Sequence, residues 1–216
     1  MIFMVETCMK MNFQSEDDFS AFREDLRQRL SAHSPRAIQK KALRPAAVMI
    51  LIMNKEGAAN VLLTKRTEKV GTHKGQMALP GGGYDESDGD FLRTALRETE
   101  EEVGVRSADV DVLGRFDDFI SIAGFHVVSY IGVITHPYEY AINRDEIEDY
   151  VEVPLSIFAN REFAKVQQVE FEGHMYNVYH YYYKNFEIWG MTARILTDFA
   201  AKILNRCAGE AVDLIH

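Results

Sequence analysis

An unbroken apolar run occupies residues 46–53 of this chain, between Pro45 and the turn-forming stretch 54–60. Apolar runs of this length that end in turn residues are typical of a strand buried on both faces. A bilayer crossing needs roughly 20 apolar residues, so the run predicts a core strand and no membrane span. The extended pattern resumes at residues 61–66. The sequence therefore predicts a hairpin with one buried strand.

Apolar residues recur at helical spacing in three further segments. The first helix is predicted from Glu16 to Leu30, with Ser15 as its cap, and the second from Asp90 to Val103, ended by Gly104. A last helix is predicted from Gly190 to Arg206. Strands are predicted at residues 110–116, 126–134 and 151–153, with an aromatic hairpin at residues 169–183. Helices and strands mixed in this way, without repeats or a linker, predict one α/β domain.

The composition places the chain among ordinary folded domains, with 47% hydrophobic and 26% charged residues. The formal charge of −9 and the lack of a basic patch argue against a nucleic-acid partner. Cys8 and Cys207 lie near opposite ends and form no dense framework. That cysteine usage fits a reducing compartment, and without a recognisable signal peptide it predicts a cytoplasmic protein.

Three glutamates stand close together at the end of the second predicted helix. Glu98, Glu101 and Glu102 follow i, i+3, i+4 spacing, so their carboxylates project from one side. Each close pair of like charges costs an isolated helix about 0.2 to 0.5 kcal/mol, and the helix dipole also opposes acids in the last turn. A divalent cation would relieve the repulsion, and oxygen ligands suit Mg²⁺ or Mn²⁺. A solvated acidic face is the alternative.

A run of glycines precedes this helix. Residues 81–83 are all glycine, which lets the backbone approach a ligand closely. A triple glycine alone is weak evidence. Next to a carboxylate helix, it outlines a site for a metal ion and a phosphate group.

The stretch GGGYDESDGDFLRTALRETEEEVGV resembles the signature of the Nudix hydrolases. The matching positions are Gly83, Arg97, Glu98, Glu101, Glu102, Gly104 and Val105. Gly89 stands where a glutamate is expected and Thr99 where an apolar residue is expected. If Gly82 opens the pattern instead, Asp88 fills the acidic place and the loop is one residue too long.

The resemblance implies an α/β/α sandwich with a mixed central β-sheet. It places a Nudix domain at residues 41–206, after an N-terminal extension with a helix (1–40) and before a C-terminal tail (207–216).

The resemblance also implies a chemistry, the metal-dependent hydrolysis of a nucleoside diphosphate derivative. Glu98, Glu101 and Glu102 would bind Mg²⁺ or Mn²⁺, and Arg97 would hold a glutamate in its ligating orientation. The general base stays open between Glu101, Glu102 and a residue on a later loop.

The preceding stretch LLTKRTEKVGTHKGQMALPGG resembles the coenzyme A diphosphatase branch of that family. This second resemblance implies cleavage of coenzyme A, or of its acyl derivatives, to adenosine 3′,5′-bisphosphate and 4′-phosphopantetheine. Gly71 replaces an arginine of that pattern, Leu79 a phenylalanine, and Thr67 stands at a small-residue position. The candidate substrate contacts are Arg66, His73, Lys74, Gly81 and Gly82. For His73 and Lys74, a solvated loop pair is the equal alternative.

Other functions stay open at this level. Gly71 favours a different substrate, such as ADP-ribose, a nucleotide sugar or a dinucleotide, and Gly89 is compatible with a non-catalytic nucleotide-binding module. The tyrosine-rich run 176–183 predicts sheet packing, with adenine stacking as the alternative. His126 is expected to be a strand histidine satisfied by hydrogen bonds, and Trp189 a packing anchor. A homodimer also stays open.

Overall fold

The computed structural model describes residues 9–38, 42–67, 75–171 and 173–205. Its helices are α1 (Glu16–Ala32), α2 (Phe91–Val103), α3 (Ser156–Ala159) and α4 (Gly190–Phe199). Its strands are β1 (Arg44–Lys55), β2 (Ala58–Arg66), β3 (Met77–Ala78), β4 (Gly81–Gly83), β5 (Asp111–Ile120), β6 (Phe125–Val133), β7 (Ile147–Pro154), β8 (Lys165–Phe171), β9 (His174–Tyr183) and β10 (Phe186–Trp189).

Strand β1 lies at the centre of a seven-stranded mixed sheet. It pairs in parallel with β6 along most of its length, and antiparallel with β2 near its end and with β4 near its start. Strand β5 continues the sheet beyond β6, while β3 and β7 both pair with β2. The apolar run is therefore the buried strand of a hairpin, as predicted, and a mixed sheet surrounds it.

Both faces of the sheet are covered, because successive side chains of β1 point to opposite sides. Ile50 and Ile52 pack in one core with apolar residues of α1 and α4. Met49 and Leu51 pack in a second core with Ala95 of α2. The expected α/β/α sandwich with a mixed central sheet is confirmed. No helix in the described part of the chain is long and apolar enough to cross a membrane.

The helix ends follow the local sequence signals. The Ser15 hydroxyl accepts a hydrogen bond from the backbone N–H of Asp18, and Gly104 ends α2 with φ of +72°. Helix α1 runs to Ala32, two residues beyond the predicted end. Pro35 disfavours helical backbone only at the residue that precedes it, so it does not prevent the helix from extending past Leu30. Helix α4 continues as a π-helical segment over residues 200–204.

A second, three-stranded sheet forms where the sequence predicted an aromatic hairpin. Strands β8, β9 and β10 pair antiparallel, so the hairpin begins earlier than predicted and has a third strand. Tyr181 is fully buried, whereas Tyr182 is exposed, in keeping with sheet packing on one face. The expectation for Trp189 is wrong: it is 39% exposed and stacks on the ring of His180 rather than anchoring the core.

The segment after α1 is fastened to β5 by a buried carboxylate. Asp117 accepts hydrogen bonds from the Arg36 backbone N–H at 2.9 Å and from Lys202, and it contacts His33 Nε2 at 2.8 Å. Burial alone would raise the pKa of Asp117, but the bonds from Lys202, Arg36 and His33 hold it below its ordinary value. One carboxylate thus joins the N-terminal segment, the sheet and the C-terminal helix.

We predict that Asp117→Asn lowers the free energy of unfolding by about 3 kcal/mol, because it leaves the Lys202 ammonium group without its carboxylate. Urea denaturation at pH 7 measures the change. Asp25→Asn is the matched control, since the half-exposed Asp25 pairs with Arg29 one turn further along helix α1. This substitution should lower the free energy of unfolding by less than about 0.5 kcal/mol. Equal losses in the two variants would contradict the prediction.

Candidate active site

The glycine strand β4 lies between β1 and helix α2. Its residues pair with Ala46, Ala47 and Val48 of β1. A Cβ atom at Gly82 would lie 2.4 Å from the Glu98 carboxyl group. One at Gly81, where φ is +150°, would lie 2.3 Å from the Ala47 carbonyl oxygen. Glycine at position 81 therefore lets β4 pack closely against β1, and glycine at position 82 leaves room for the Glu98 carboxyl group of α2.

Helix α2 is held in place at both ends. The Asp90 side chain accepts a hydrogen bond from the Arg93 backbone N–H, which caps the start. At the other end, the Ala141 backbone N–H donates to the Val103 carbonyl oxygen at 3.0 Å, and the Asn143 N–H donates to the Glu102 carbonyl oxygen at 3.0 Å. These contacts fix the glutamate-bearing turn against the loop that follows β6.

Arg97 connects the acidic residues of the site. Its guanidinium contacts both oxygens of Asp88, at 2.7 and 3.0 Å, and its Nη1 donates to Glu98 and to Glu101, each at 2.9 Å. Its Nη2 also donates to the Gly83 carbonyl oxygen at 3.1 Å. The arginine therefore orients two of the three predicted ligands and ties them to β4.

Asp88 is the acidic residue that anchors Arg97 from the preceding loop. It is buried, and the bonds from Arg97 hold the pKa of its carboxyl group well below the ordinary value. Asp88 also accepts hydrogen bonds from the Asp85 backbone N–H and the Thr94 hydroxyl. Gly89, which replaces the expected glutamate, adopts φ of +77° and turns the chain into α2. Asp88, rather than residue 89, therefore supplies the carboxylate that pairs with Arg97.

Glu102 and Glu98 do not form a solvated acidic face. The Glu102 side chain is only 2% exposed, and burial raises its pKa to about 8 although Arg66 and the Gly81 N–H act in the opposite direction. The Glu98 side chain is 15% exposed, and burial raises its pKa as well. Glu101 differs, because its side chain is 55% exposed.

The predicted substrate contacts fall into three groups. Gly81 and Gly82 lie at the site, and the Gly81 N–H donates to Glu102 Oε2 at 3.3 Å. Arg66 lies there too, and its Nη1 donates to Glu102 Oε1 at 3.2 Å. His73 and Lys74, like Gly71, are outside the described residues. His126, which was expected to be a satisfied strand histidine, contacts Asp118 at 2.8 Å and is confirmed as one.

Glu146, which the sequence did not single out, lies close to the site. Its negative charge helps to raise the pKa values of both Glu98 and Glu102. It comes from the loop before β7, where the Asn143 amide donates to its carboxylate at 3.2 Å. Because this loop is far away in sequence and has no distinctive motif, only the tertiary contacts with α2 reveal its proximity.

The donor chemistry at this site fits a hard divalent cation. Carboxylate oxygens are what Mg²⁺ and Mn²⁺ prefer, and the Glu98 carboxyl group lies close against the Gly82 backbone. Within the described ranges, no three His, Cys, Asp or Glu side chains already form a set that could hold a metal ion. The carboxylates instead contact Arg97, Arg66 and the Gly81 N–H. A cation would have to replace some of these contacts.

The glycine strand and the carboxylate helix lie within a segment that matches a known family. Residues 43–178 match the NUDIX domain family. An "Uncharacterized Nudix hydrolase NudL" from Enterobacter sp. (strain 638) is 33% identical over 160 residues, covering 74% of this chain and 83% of that protein. "Nudix hydrolase 15, mitochondrial" from Arabidopsis thaliana is 34% identical over 172 residues, covering 77% and 60%.

Among solved structures, an Ap4A hydrolase binary complex from C. elegans superposes with a TM-score of 0.46 at 18% identity, covering 51% of this chain and 80% of that one. The family match and the curated relatives show that this chain belongs to the Nudix hydrolases. It is thus a hydrolase of pyrophosphate bonds in nucleoside diphosphate derivatives. Members of the family generally use divalent metal ions.

We predict that Gly82→Ala lowers kcat by at least about 100-fold while the protein stays folded, because the added methyl group displaces the flexible Glu98 carboxyl group. Steady-state kinetics on a nucleoside diphosphate substrate and thermal unfolding measure the two effects. Gly83→Ala is the matched control, because a Cβ there meets no atom of the described residues within 4 Å. Equal activity losses in both variants would argue against steric displacement of Glu98.

We also predict that Mn²⁺ binding at pH 7 releases about one proton from Glu102. With a pKa of about 8, this carboxyl group is mostly protonated at pH 7 in the metal-free protein and must ionise to bind a cation. Affinity should therefore rise as the pH increases toward 8. Calorimetry in buffers of different ionisation enthalpy measures the release, which should disappear in Glu102→Gln. Buffer-independent heats in the parent protein would contradict the prediction.

Proposed function

We propose that this chain hydrolyses the diphosphate of coenzyme A or of its acyl derivatives, using Mg²⁺ or Mn²⁺. The products would be adenosine 3′,5′-bisphosphate and 4′-phosphopantetheine or its acyl form. Glu98, Glu101 and Glu102 would be the metal ligands, and Arg97 the residue that orients them.

The convergence of a buried carboxylate, Glu102, and a partly buried one, Glu98, on the glycine strand carries this proposal. Glu102 accepts a hydrogen bond from the Gly81 N–H, and the Glu98 carboxyl group fills the space in front of Gly82. Burying these like charges together is unfavourable unless positive charge offsets it. A diphosphate carries the same negative sign, so a cation between the two is the arrangement that lets them approach.

The segment that resembles the coenzyme A diphosphatases supports the choice of substrate. Leu62, Leu63 and Thr64 are buried in β2, which ends at Arg66 and so brings this motif directly to Glu102. The same segment continues through β3 into β4, the glycine strand of the site. Arg66 and Gly81 of this segment thus both contact Glu102, which supports a single site formed by the two motifs.

The reaction joins a water oxygen to one phosphorus atom of the diphosphate and breaks the bond from that phosphorus to the bridging oxygen. The bridging oxygen leaves with the other phosphate. A bound divalent cation would supply charge neutralisation and a more acidic water. The chain's own residues hold the carboxylates: Arg97 orients Glu98 and Glu101, and the Gly81 N–H orients Glu102.

A second substrate class has one observation in its favour. The coenzyme A pattern has an arginine where this chain has Gly71. Loss of that arginine removes a candidate contact to phosphate. ADP-ribose, a nucleotide sugar or a dinucleotide is therefore the alternative substrate.

We predict that the full chain converts coenzyme A faster than ADP-ribose or a nucleotide sugar, with Mg²⁺ or Mn²⁺ in each assay. Chromatography of the products measures the turnover. Glu98→Gln should lower kcat by more than about 100-fold, because it removes a carboxylate from the cation site. Glu100→Gln is the matched control on the same helix, since Glu100 points away to the Ser107 backbone N–H and hydroxyl.

The outcomes separate the candidate functions. Selective turnover of ADP-ribose or a nucleotide sugar would replace coenzyme A as the substrate. Nucleotide binding without turnover of any diphosphate would instead favour a non-catalytic binding module. Three expectations stay predictions: a cytoplasmic location, a homodimer, and the domain boundaries at residues 40 and 206. For the location, the names of two plant relatives include "mitochondrial" and "chloroplastic".

A further inference from the structure

Strand β2 ends at an irregularity that turns Arg66 toward the acidic helix. Lys65 pairs with Asp149 of β7, but Arg66 pairs with Ile147, so Glu148 is left out of the register. Such bulges increase the local twist and redirect side chains, often beside active sites. The Lys65 ammonium group forms an ion pair with the exposed Glu148, whereas the Arg66 guanidinium forms an ion pair with the buried Glu102.

Arg66 and the Gly81 N–H hold the Glu102 carboxylate from two sides. Arg66 Nη1 contacts Oε1 at 3.2 Å, and the Gly81 N–H contacts Oε2 at 3.3 Å. A carboxylate gripped at both oxygens loses its freedom to rotate about its last bond. Among the described residues, the buried Nε of Arg66 has no hydrogen-bond partner, so part of this guanidinium is removed from water. The nearby Glu102 carboxyl group offsets that cost when it is ionised.

The backbone on both sides of Arg66 is fixed by hydrogen bonds. The Arg66 N–H donates to the Gln76 carbonyl oxygen, and the Arg66 carbonyl oxygen accepts from the Gly75 N–H, each at 3.1 Å. The Thr67 N–H and hydroxyl donate to the carbonyl oxygens of Glu146 and Asp145, at 2.8 and 3.1 Å. These hydrogen bonds hold the backbone around Arg66 in place and connect it to the loop before β7.

We propose that Arg66 is a positioning residue that fixes the Glu102 carboxylate for cation binding, and that it does not act chiefly as a contact to the substrate phosphates. The proposal rests on the proposed function, because it assigns a role within the same site. It differs from the expectation that Arg66 binds substrate. Outer residues that orient metal ligands typically contribute about 10- to 100-fold in metal affinity or activity.

The test compares Arg66→Gln and Arg66→Lys with the parent protein. Calorimetry measures Mn²⁺ affinity without substrate, and steady-state kinetics give kcat and KM separately. We expect Arg66→Gln to weaken Mn²⁺ binding and lower kcat by about 10- to 100-fold, with KM changed by less than about 3-fold. Arg66→Lys should restore part of both losses, because it keeps the charge but not the planar guanidinium.

Arg27→Gln is the control for the loss of an arginine–carboxylate pair away from the site, because Arg27 pairs with the partly exposed Asp111 of β5. It should leave Mn²⁺ affinity and kinetics unchanged. Thermal unfolding of every variant identifies losses that come from misfolding alone. A rise in KM with unchanged Mn²⁺ affinity would overturn the proposal and make Arg66 a substrate contact. Because Mn²⁺ affinity needs no substrate, it tests Arg66 even if the parent hydrolyses no diphosphate.

Discussion

The pairing of β1 with three different strands is the constraint on which the rest of the structure depends. Its start lies between β4 and β6, and its end pairs with β2. A strand with partners on both edges and apolar residues on both faces cannot shift its register without exposing its core residues. Its position therefore fixes the glycine strand, which in turn fixes where Glu98 and Glu102 can lie. The site is a consequence of this central strand.

The charges of the site are balanced locally and unequally. Arg97 forms ion pairs with three carboxylates, those of Asp88, Glu98 and Glu101. Glu102 accepts hydrogen bonds from Arg66 and from the Gly81 backbone N–H. Glu146 adds a negative charge to this group from a separate loop. Burial and these like charges favour the protonated forms of Glu98 and Glu102, while the arginines favour the ionised forms. The negative charge of each ionised carboxyl group is therefore only partly compensated, and a bound cation can compensate the remainder.

The sequence predicts the parts of this protein that depend on local patterns. The caps at Ser15 and Gly104, the buried strand and the helix with three glutamates all follow from spacing and turn chemistry. Its errors lie where tertiary contacts decide. Trp189 is the residue type that usually fills a core, yet strand β10 leaves it partly exposed against His180. The burial of Glu102 between β4 and Arg66 also depends on tertiary contacts, because the sequence favoured a cation site there but left a solvated acidic face as the alternative. Neither outcome can be derived from periodicity.

The formal charge of −9 raises the question of how such a protein binds an anionic diphosphate. Charges more than about 10 Å apart are largely screened at physiological salt, so the local charge of the site decides. There, Arg66 and Arg97 already neutralise part of the carboxylate charge. A divalent cation would bring the site close to neutrality, and a second positive contribution would be needed before it attracts a diphosphate. Removal of metal should therefore abolish substrate binding as well as catalysis, because without a cation the site presents an anion to an anion.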